Sequence, residues 1–306
     1  MLEFIGIRIT SKMKDSGLEN LISEIEYELK DDFEKTIFKG SIRVLCDSNN
    51  PIRLHLFSAG IRELINYKLE LLAPSENVKI CSWYIQKNIK NPDNSHKVIY
   101  ALQGGLNDDF ICNTLGLETD VHDTIYGLIG QLNKYIHINR EEGIISKDSN
   151  IERNSLETLN TFKKLFSEIK SYRRSLSLAL ENKIPKEIIG EIVLQGLYAA
   201  ERIATHSFVG TPPDIVDIQV IRITHEIVEF RVDGSVSADL QWGSDEVIRK
   251  AIGAIIPHDF PFSCSLISTV DKPLYPKLND CVNIDDSSWY EDIVFFISNH
   301  MNVLQV

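Results

Sequence analysis

Residues 210–242 read "GTPPDIVDIQVIRITHEIVEFRVDGSVSADLQW". Before the paired prolines the apolar residues recur at helical spacing. After them the period is two, the signature of half-buried strands. In the second half of the stretch the alternation is clean. Asp233, Ser235, Ser237, Asp239 and Gln241 fall on one side, and Val232, Val236, Ala238, Leu240 and Trp242 on the other. The segments "IVDIQVIRIT", "IVEFRV" and "SVSADLQW", with "FPFSCSLISTV" further on, predict an antiparallel sheet with one buried and one polar face. The reading places a tight turn within "RVDGSV", so that Phe230–Glu246 forms a hairpin. "HEIVE" at His225 falls in a strand and lacks the second histidine of a metalloprotease helix.

Upstream the pattern is helical. "SGLENLISEIEYELKDDFEKTIF" has apolar spacing at Leu18, Leu21, Ile22, Ile25 and Leu29. In "SNNPIRLHLFSAGIRELINYKLELLAP" Asn50 caps, Pro51 takes the first helical position and Pro74 closes, and Leu54, Phe57, Ile61, Leu64, Ile65 and Leu72 form the stripe. "KVIYALQGGLNDDFICNTLGL" is a helix broken at Gly104-Gly105 and restarted by "LNDDF". "TDVHDTIYGLIGQLNKYIHI" is a further helix, with Val121, Ile125, Leu128, Ile129, Leu132 and Ile136 inward. A linker, "NREEGIISKDSN", precedes a long amphipathic helix whose stripe runs Leu159, Phe162, Phe166, Ile169, Leu176. "IPKEIIGEIVLQGLYAAERIAT" is its antiparallel partner. "MLEFIGIRIT" is a strand candidate rather than a signal peptide, because Arg8 interrupts it. "WYEDIVFFI" fits helix or strand.

The expectation is an α+β protein with a mainly helical N-terminal two-thirds and a C-terminal antiparallel β-rich domain. The divisions are 1–148, a helical hairpin over 149–208, and an acidic β-rich domain over 209–306. The 43% hydrophobic and 25% charged residues are enough for a sizeable core. No apolar run reaches the roughly 18 residues of a membrane span. The five cysteines form no CxxC pair and read as buried thiols of a reducing cytoplasm. Net charge is -12, unevenly spread. Residues 208–306 carry 15 acidic against 6 basic side chains, whereas the first 207 carry 29 against 26. The acidic end repels a phosphate backbone unless its carboxylates hold metal ions.

Three constellations could carry chemistry. The first is Asp239-Leu240-Gln241. Alternate strand residues share a face, so an acid, a second acid on a neighbouring strand and a polar group two residues on suit a nuclease metal site. Two carboxylates bind the hard cation and the third group orients water. Asp214 or Asp233 supplies the second acid, and Mg²⁺ or Mn²⁺ is the ion. The plain alternative is a solvated strand face. The second is Asn133 and His137, four apart on one helix face, which resembles the end of a HEPN ribonuclease helix. The arginine of that motif is missing, since Gly130, Gln131 and Leu132 stand where it belongs. A helix-end histidine bonding a carbonyl is the alternative. The third is Lys163, Lys170 and Arg174, which share a helix face and suit a phosphate backbone. The alternative is a solvated face paired with Glu157 and Glu168. GxxxxGK[ST], GxGxxG and GxSxG are all absent, which argues against nucleotide hydrolase, dehydrogenase and serine hydrolase chemistry.

Three blocks taken together resemble a known family. They are "RLHLFSAGIRELINYKLELLAPSENVKICSWY", "YALQGGLNDDFICNTLGLETDVHDTIYGLIGQLNKYIHI", and "RVDGSVSADLQWGSDE" with "FPFSCSLISTV". They are similar to bacterial proteins described as predicted pPIWI-associating nucleases, linked to mobile-element and antiviral defence. The likeness runs from about residue 40 to about 270. The family block near Asp239 reads Glu-Leu-Gln, so this chain keeps the carboxylate on a shorter side chain. The resemblance implies a cytoplasmic bacterial defence component acting on or beside nucleic acid. Two readings stay open: a metal-dependent nuclease, and a non-catalytic sensor or adaptor that binds another defence protein. Nucleic acid, that protein and a second copy of the chain are the candidate partners.

Overall fold

The structure, a computed structural model, describes residues 17–85, 91–136, 144, 145, 147–199, 207–209, 212–242, 244–250, 254–285 and 287. The opening strand candidate, "WYEDIVFFI" and His137 lie outside these. The chain forms an α+β protein, helical mostly in its N-terminal part, with a C-terminal antiparallel sheet. It divides into two compact units between Leu176 and Ser177.

The first unit contains α1 (Leu18–Glu28), α2 (Asp32–Cys46), α3 (Arg53–Leu72), α4 (Ser75–Ile80), α5 (Asn94–Gln103), a π-helical turn (Phe110–Leu115), α6 (Val121–Asn133) and most of α7 (Asp148–Lys183). One core joins α1, α2, α3, α5, α6 and α7, with the α3 stripe of Leu54, Phe57, Ile61, Leu64 and Ile65 in it, and a smaller cluster packs Val78 of α4 with Ala73, Cys81 and Tyr100. Leu72, expected in that stripe, is 39% exposed. The segment expected as one helix from Ser16 is two. Asp31 ends the run because its carboxylate accepts a hydrogen bond from the Phe33 N–H at 3.0 Å, so an N-cap overrides the continuing apolar period. At α3, Asn50 accepts from the Ile52 N–H at 3.1 Å and the helix starts at Arg53, two residues after Pro51. The break at Gly104 is as expected. Its φ is +63°, a conformation that favours glycine, and the chain resumes helically as the π-turn.

Among the described residues the second unit contains the end of α7, α8 (Lys186–Ala199), α9 (Asp245–Arg249) and six strands: β1 (Ser207–Val209), β2 (Asp214–Ile223), β3 (Ile227–Trp242), β4 (Ala254–Thr269), β5 (Lys277–Leu278) and β6 (Asn283–Ile284). All pairings are antiparallel. β3 runs the length of β4 on one side and meets β2 and β1 on the other, while β5 and β6 pair with the far edge of β4. Val228, Phe230, Val232, Val236 and Ala238 point into the core with Phe260, Phe262, Cys264 and Leu266, and the alternate positions are open.

The hairpin expected inside Phe230–Glu246 does not exist. β3 is one continuous strand of 16 residues, and Asp233-Gly234 lies in its middle. Gly234 serves close packing instead. A Cβ there would sit 2.3 Å from the Asp214 carbonyl oxygen and 2.8 Å from the Phe262 ring. The true turn is at "THE", where Thr224 Oγ1 accepts from the Glu226 and Ile227 N–H groups. His225 is therefore in a turn, not in a strand. β2 carries irregularities at Val216 and Ile221, and two charged side chains cover its ladder groups. The Val220 N–H donates to Glu181 Oε1 and Lys186 Nζ donates to the Ile215 carbonyl, each at 2.7 Å.

Candidate functional site

The open face of the sheet carries the carboxylates singled out in the sequence, spread along its length. Because β3 does not turn, Asp233 and Asp239 are six residues apart on one strand, about 20 Å at 3.3 Å per residue. Asp214 pairs with Ser235, four residues and about 13 Å before Asp239. Two aspartates on one ion need far closer backbones, since each carboxylate–metal distance is only about 2.0–2.6 Å. Neither expected partner therefore reaches an ion held by Asp239.

Asp233 is already neutralised. Arg231 Nε lies 2.9 and 3.2 Å from its two oxygens and Arg231 Nη2 lies 3.0 Å from Oδ1, a forked pair that holds the guanidinium pKa above its usual value. Opposite it, Asp217 accepts from Gln219 Nε2 at 2.7 Å.

Asp239 has a different acidic neighbour. β3 and β4 pair Ser237 with Asp259 and Asp239 with Pro257. Asp239 and Asp259 are thus diagonal neighbours on one face, with backbones roughly 7–8 Å apart. Both are exposed, and Ser237 Oγ donates to Asp259 Oδ1. Gln241 follows on the same strand, opposite Ile255. Two carboxylates at this separation suit a hard divalent ion whose remaining ligands are water or substrate phosphate. Among the described residues no three His, Cys, Asp or Glu side chains gather around one point. Asp259, in "PHDFPF", was missed because no sequence pattern gives the register that brings it to Asp239.

The α6 end is partly described. Asn133 is its last residue, with a buried Oδ1 that meets no hydrogen-bond donor of the protein. Two residues on, the Tyr135 carbonyl accepts from His55 Nδ1 at 2.8 Å. A carbonyl only accepts, so Nδ1 carries a proton, and the buried Nε2 meets no hydrogen-bond partner of the protein. Arg53, 7% exposed, lies two residues before it and binds Asp148 at 2.6 Å. Arg53 and His55 were not singled out in the sequence.

The basic face of α7 is divided. Lys163 is engaged by Glu24 of α1 at 2.7 Å, which holds its pKa above the usual value, so its partner is neither Glu157 nor Glu168. Glu157 accepts instead from Tyr135 Oη at 2.8 Å. Lys170 and Arg174 are exposed.

Two family models cover most of this chain. Both carry the description predicted pPIWI-associating nuclease, one matching residues 26–162 and the other 169–290. The chain belongs to the family of predicted pPIWI-associating nucleases. The first match lies within the helical unit. The second takes in the end of α7, α8 and the sheet, so the Asp239–Asp259 face lies within a block of the pPIWI-associating nuclease family. No curated protein and no solved structure matches the chain. No helix of the described residues is long and apolar enough to cross a membrane.

Proposed function

We propose that this chain is a nuclease-like component of a bacterial antiviral defence system, hydrolysing phosphodiester bonds with Mg²⁺ or Mn²⁺ on the open face of its sheet. The observation that supports this is the diagonal juxtaposition of Asp239 and Asp259 across β3 and β4. The two carboxylates hold one face of the ion and the substrate phosphate completes its shell, the arrangement Mg²⁺ favours. The ion supplies Lewis acidity and an activated water. We assign Gln241, two residues after Asp239 in β3, to orient that water, and Ser237 to position Asp259. Unless the ion offsets it, the acidic face repels the substrate backbone. The family description also points to a PIWI-type protein as partner, and the reading places both in the cytoplasm.

The test is cleavage of end-labelled single- and double-stranded DNA and RNA with Mg²⁺ or Mn²⁺. EDTA should abolish cleavage, and Asp259→Asn should lower it by roughly 10–100-fold. Full activity of Asp259→Asn sinks the site.

A second reading, a non-catalytic sensor or adaptor, has its own support. Among the described residues two carboxylates, not three or four, meet on this face, and Asp233, further along β3, is paired with Arg231. It expects no cleavage under any metal, and retention of the chain on its partner protein when Asp239 and Asp259 are both replaced by asparagine.

A further inference from the structure

One stretch of α7 runs against the sign of the chain. Between residues 158 and 180 stand five bases, Lys163, Lys164, Lys170, Arg173 and Arg174, and one acid, Glu168, a local net of +4 in a chain of net -12. Two of the five are committed within the fold. Lys163 pairs with Glu24 of α1, and Arg173 donates to the Ala101 carbonyl at 3.2 Å. Lys164, Lys170 and Arg174 are exposed, and among the described residues none of them meets a carboxylate.

At 3.6 residues per turn these three fall within about 120° of the helix circumference and about 15 Å along its axis. Ser167 and Ser171 lie between them in angle and Ser175 beside them, all exposed. Upstream on the same helix, Ser155, Thr158, Thr161 and Ser167 turn their hydroxyls back onto carbonyls three or four residues earlier. Ser171 and Ser175 make no such bond among the described residues, so their hydroxyls are free to donate. Lys170 and Arg174, four apart, are like charges on one face, an arrangement that weakens a helix. A face serving solubility alone would alternate the signs at this spacing, as Glu246 and Lys250 do in α9. Unopposed cations with hydroxyls among them suit a phosphate backbone instead. The cations displace its counterions, and the hydroxyls donate to its oxygens. Phosphates of one duplex strand advance about 3.4 Å each along the axis, so about 15 Å of α7 passes several of them.

We propose that Lys164, Lys170 and Arg174, with Ser171 and Ser175, form a surface that holds the phosphate backbone of a nucleic acid without reading its sequence. Lys163 belongs to the fold rather than to this surface. Binding here needs no metal ion. It is independent of the Asp239–Asp259 reading and serves a nuclease and an adaptor alike.

The experiment is fluorescence anisotropy of a short labelled DNA duplex, and of a single-stranded RNA of the same length, with the full chain carrying Asp239→Asn and Asp259→Asn. It is run in EDTA, between about 50 and 200 mM salt. Affinity should fall linearly with salt on logarithmic axes for at least one of the two. Replacing Lys164, Lys170 and Arg174 together by glutamine should reduce that slope by about 2–3 and weaken binding at least about tenfold. Lys163→Gln should change both less. All four positions lie on the helix surface, and melting curves establish that the variants fold. Polyglutamate is the competing polyanion and should displace the nucleic acid poorly. No binding of either nucleic acid, a slope and affinity unchanged in the folded triple variant, or equal affinity for polyglutamate overturns the proposal.

Discussion

Replacing Gly234 with alanine tests the continuity of β3, on which the geometry of the sheet rests. The added Cβ would lie 2.3 Å from the Asp214 carbonyl oxygen and 2.8 Å from two carbons of the Phe262 ring. The ring can tilt. The oxygen belongs to the backbone of β2, whose Ile215 pairs with Gly234 itself. Relief therefore requires about 1 Å of separation between β2 and β3. Overpacking of this kind costs about 1–3 kcal/mol. Alanine recovers about 0.4–1 kcal/mol by restricting the unfolded chain. The net loss is about 1–2 kcal/mol, or roughly 4–8 °C in Tm for a unit of this size. The assay is thermal unfolding of the full chain followed by near-ultraviolet circular dichroism, whose aromatic signal includes Phe230, Phe260 and Phe262 of the sheet. Unchanged or raised stability in Gly234→Ala would refute the packing argument and reopen a turn at Asp233-Gly234.

Three further outcomes follow from particular contacts. Glu181→Ala strips the buried-side cap from the Val220 N–H and should lower urea stability by about 1–2 kcal/mol, with Glu181→Gln closer to wild type. At the start of α5, burial raises the Asp93 pKa but is outweighed by hydrogen bonds from Ser95 and His96, leaving it at about 2. The folded value lies below the unfolded one, so Asp93 stabilises above about pH 4 and loses that contribution as pH falls towards 2; Asp93→Asn should flatten acid unfolding in that window. Reversing Lys170 and Arg174 to glutamate should reduce the salt slope of nucleic-acid binding by about 2, whereas Lys163→Ala should change it less because Glu24 already holds that lysine.

The helices were legible because burial repeats along them. Ile125, Leu128, Ile129 and Leu132 of α6, and Leu159, Phe162 and Ile169 of α7, are buried where the 3.6-residue period places them. The polar and apolar sides of β3 were legible for the same reason at period two. The Asp31 cap competed with a continuing apolar stripe and was hidden by it. Asp233-Gly234 was misread because glycine serves turns and close strand packing alike, and only the neighbours Asp214 and Phe262 distinguish the two. The candidate site depended on register. Asp239 stood out alone, but Asp259 is brought to it by pairing across 20 residues, which local patterning does not encode.

The most direct test of the proposed active site is a double-mutant cycle on Asp239 and Asp259, measured as single-turnover Mn²⁺-dependent cleavage of a labelled oligonucleotide. Two carboxylates holding one ion act as a unit, so Asp239→Asn and Asp259→Asn should each remove most of the activity and the double variant should lose little more. Losses that multiply, or either single variant cleaving at the wild-type rate, would contradict a shared ion at this face.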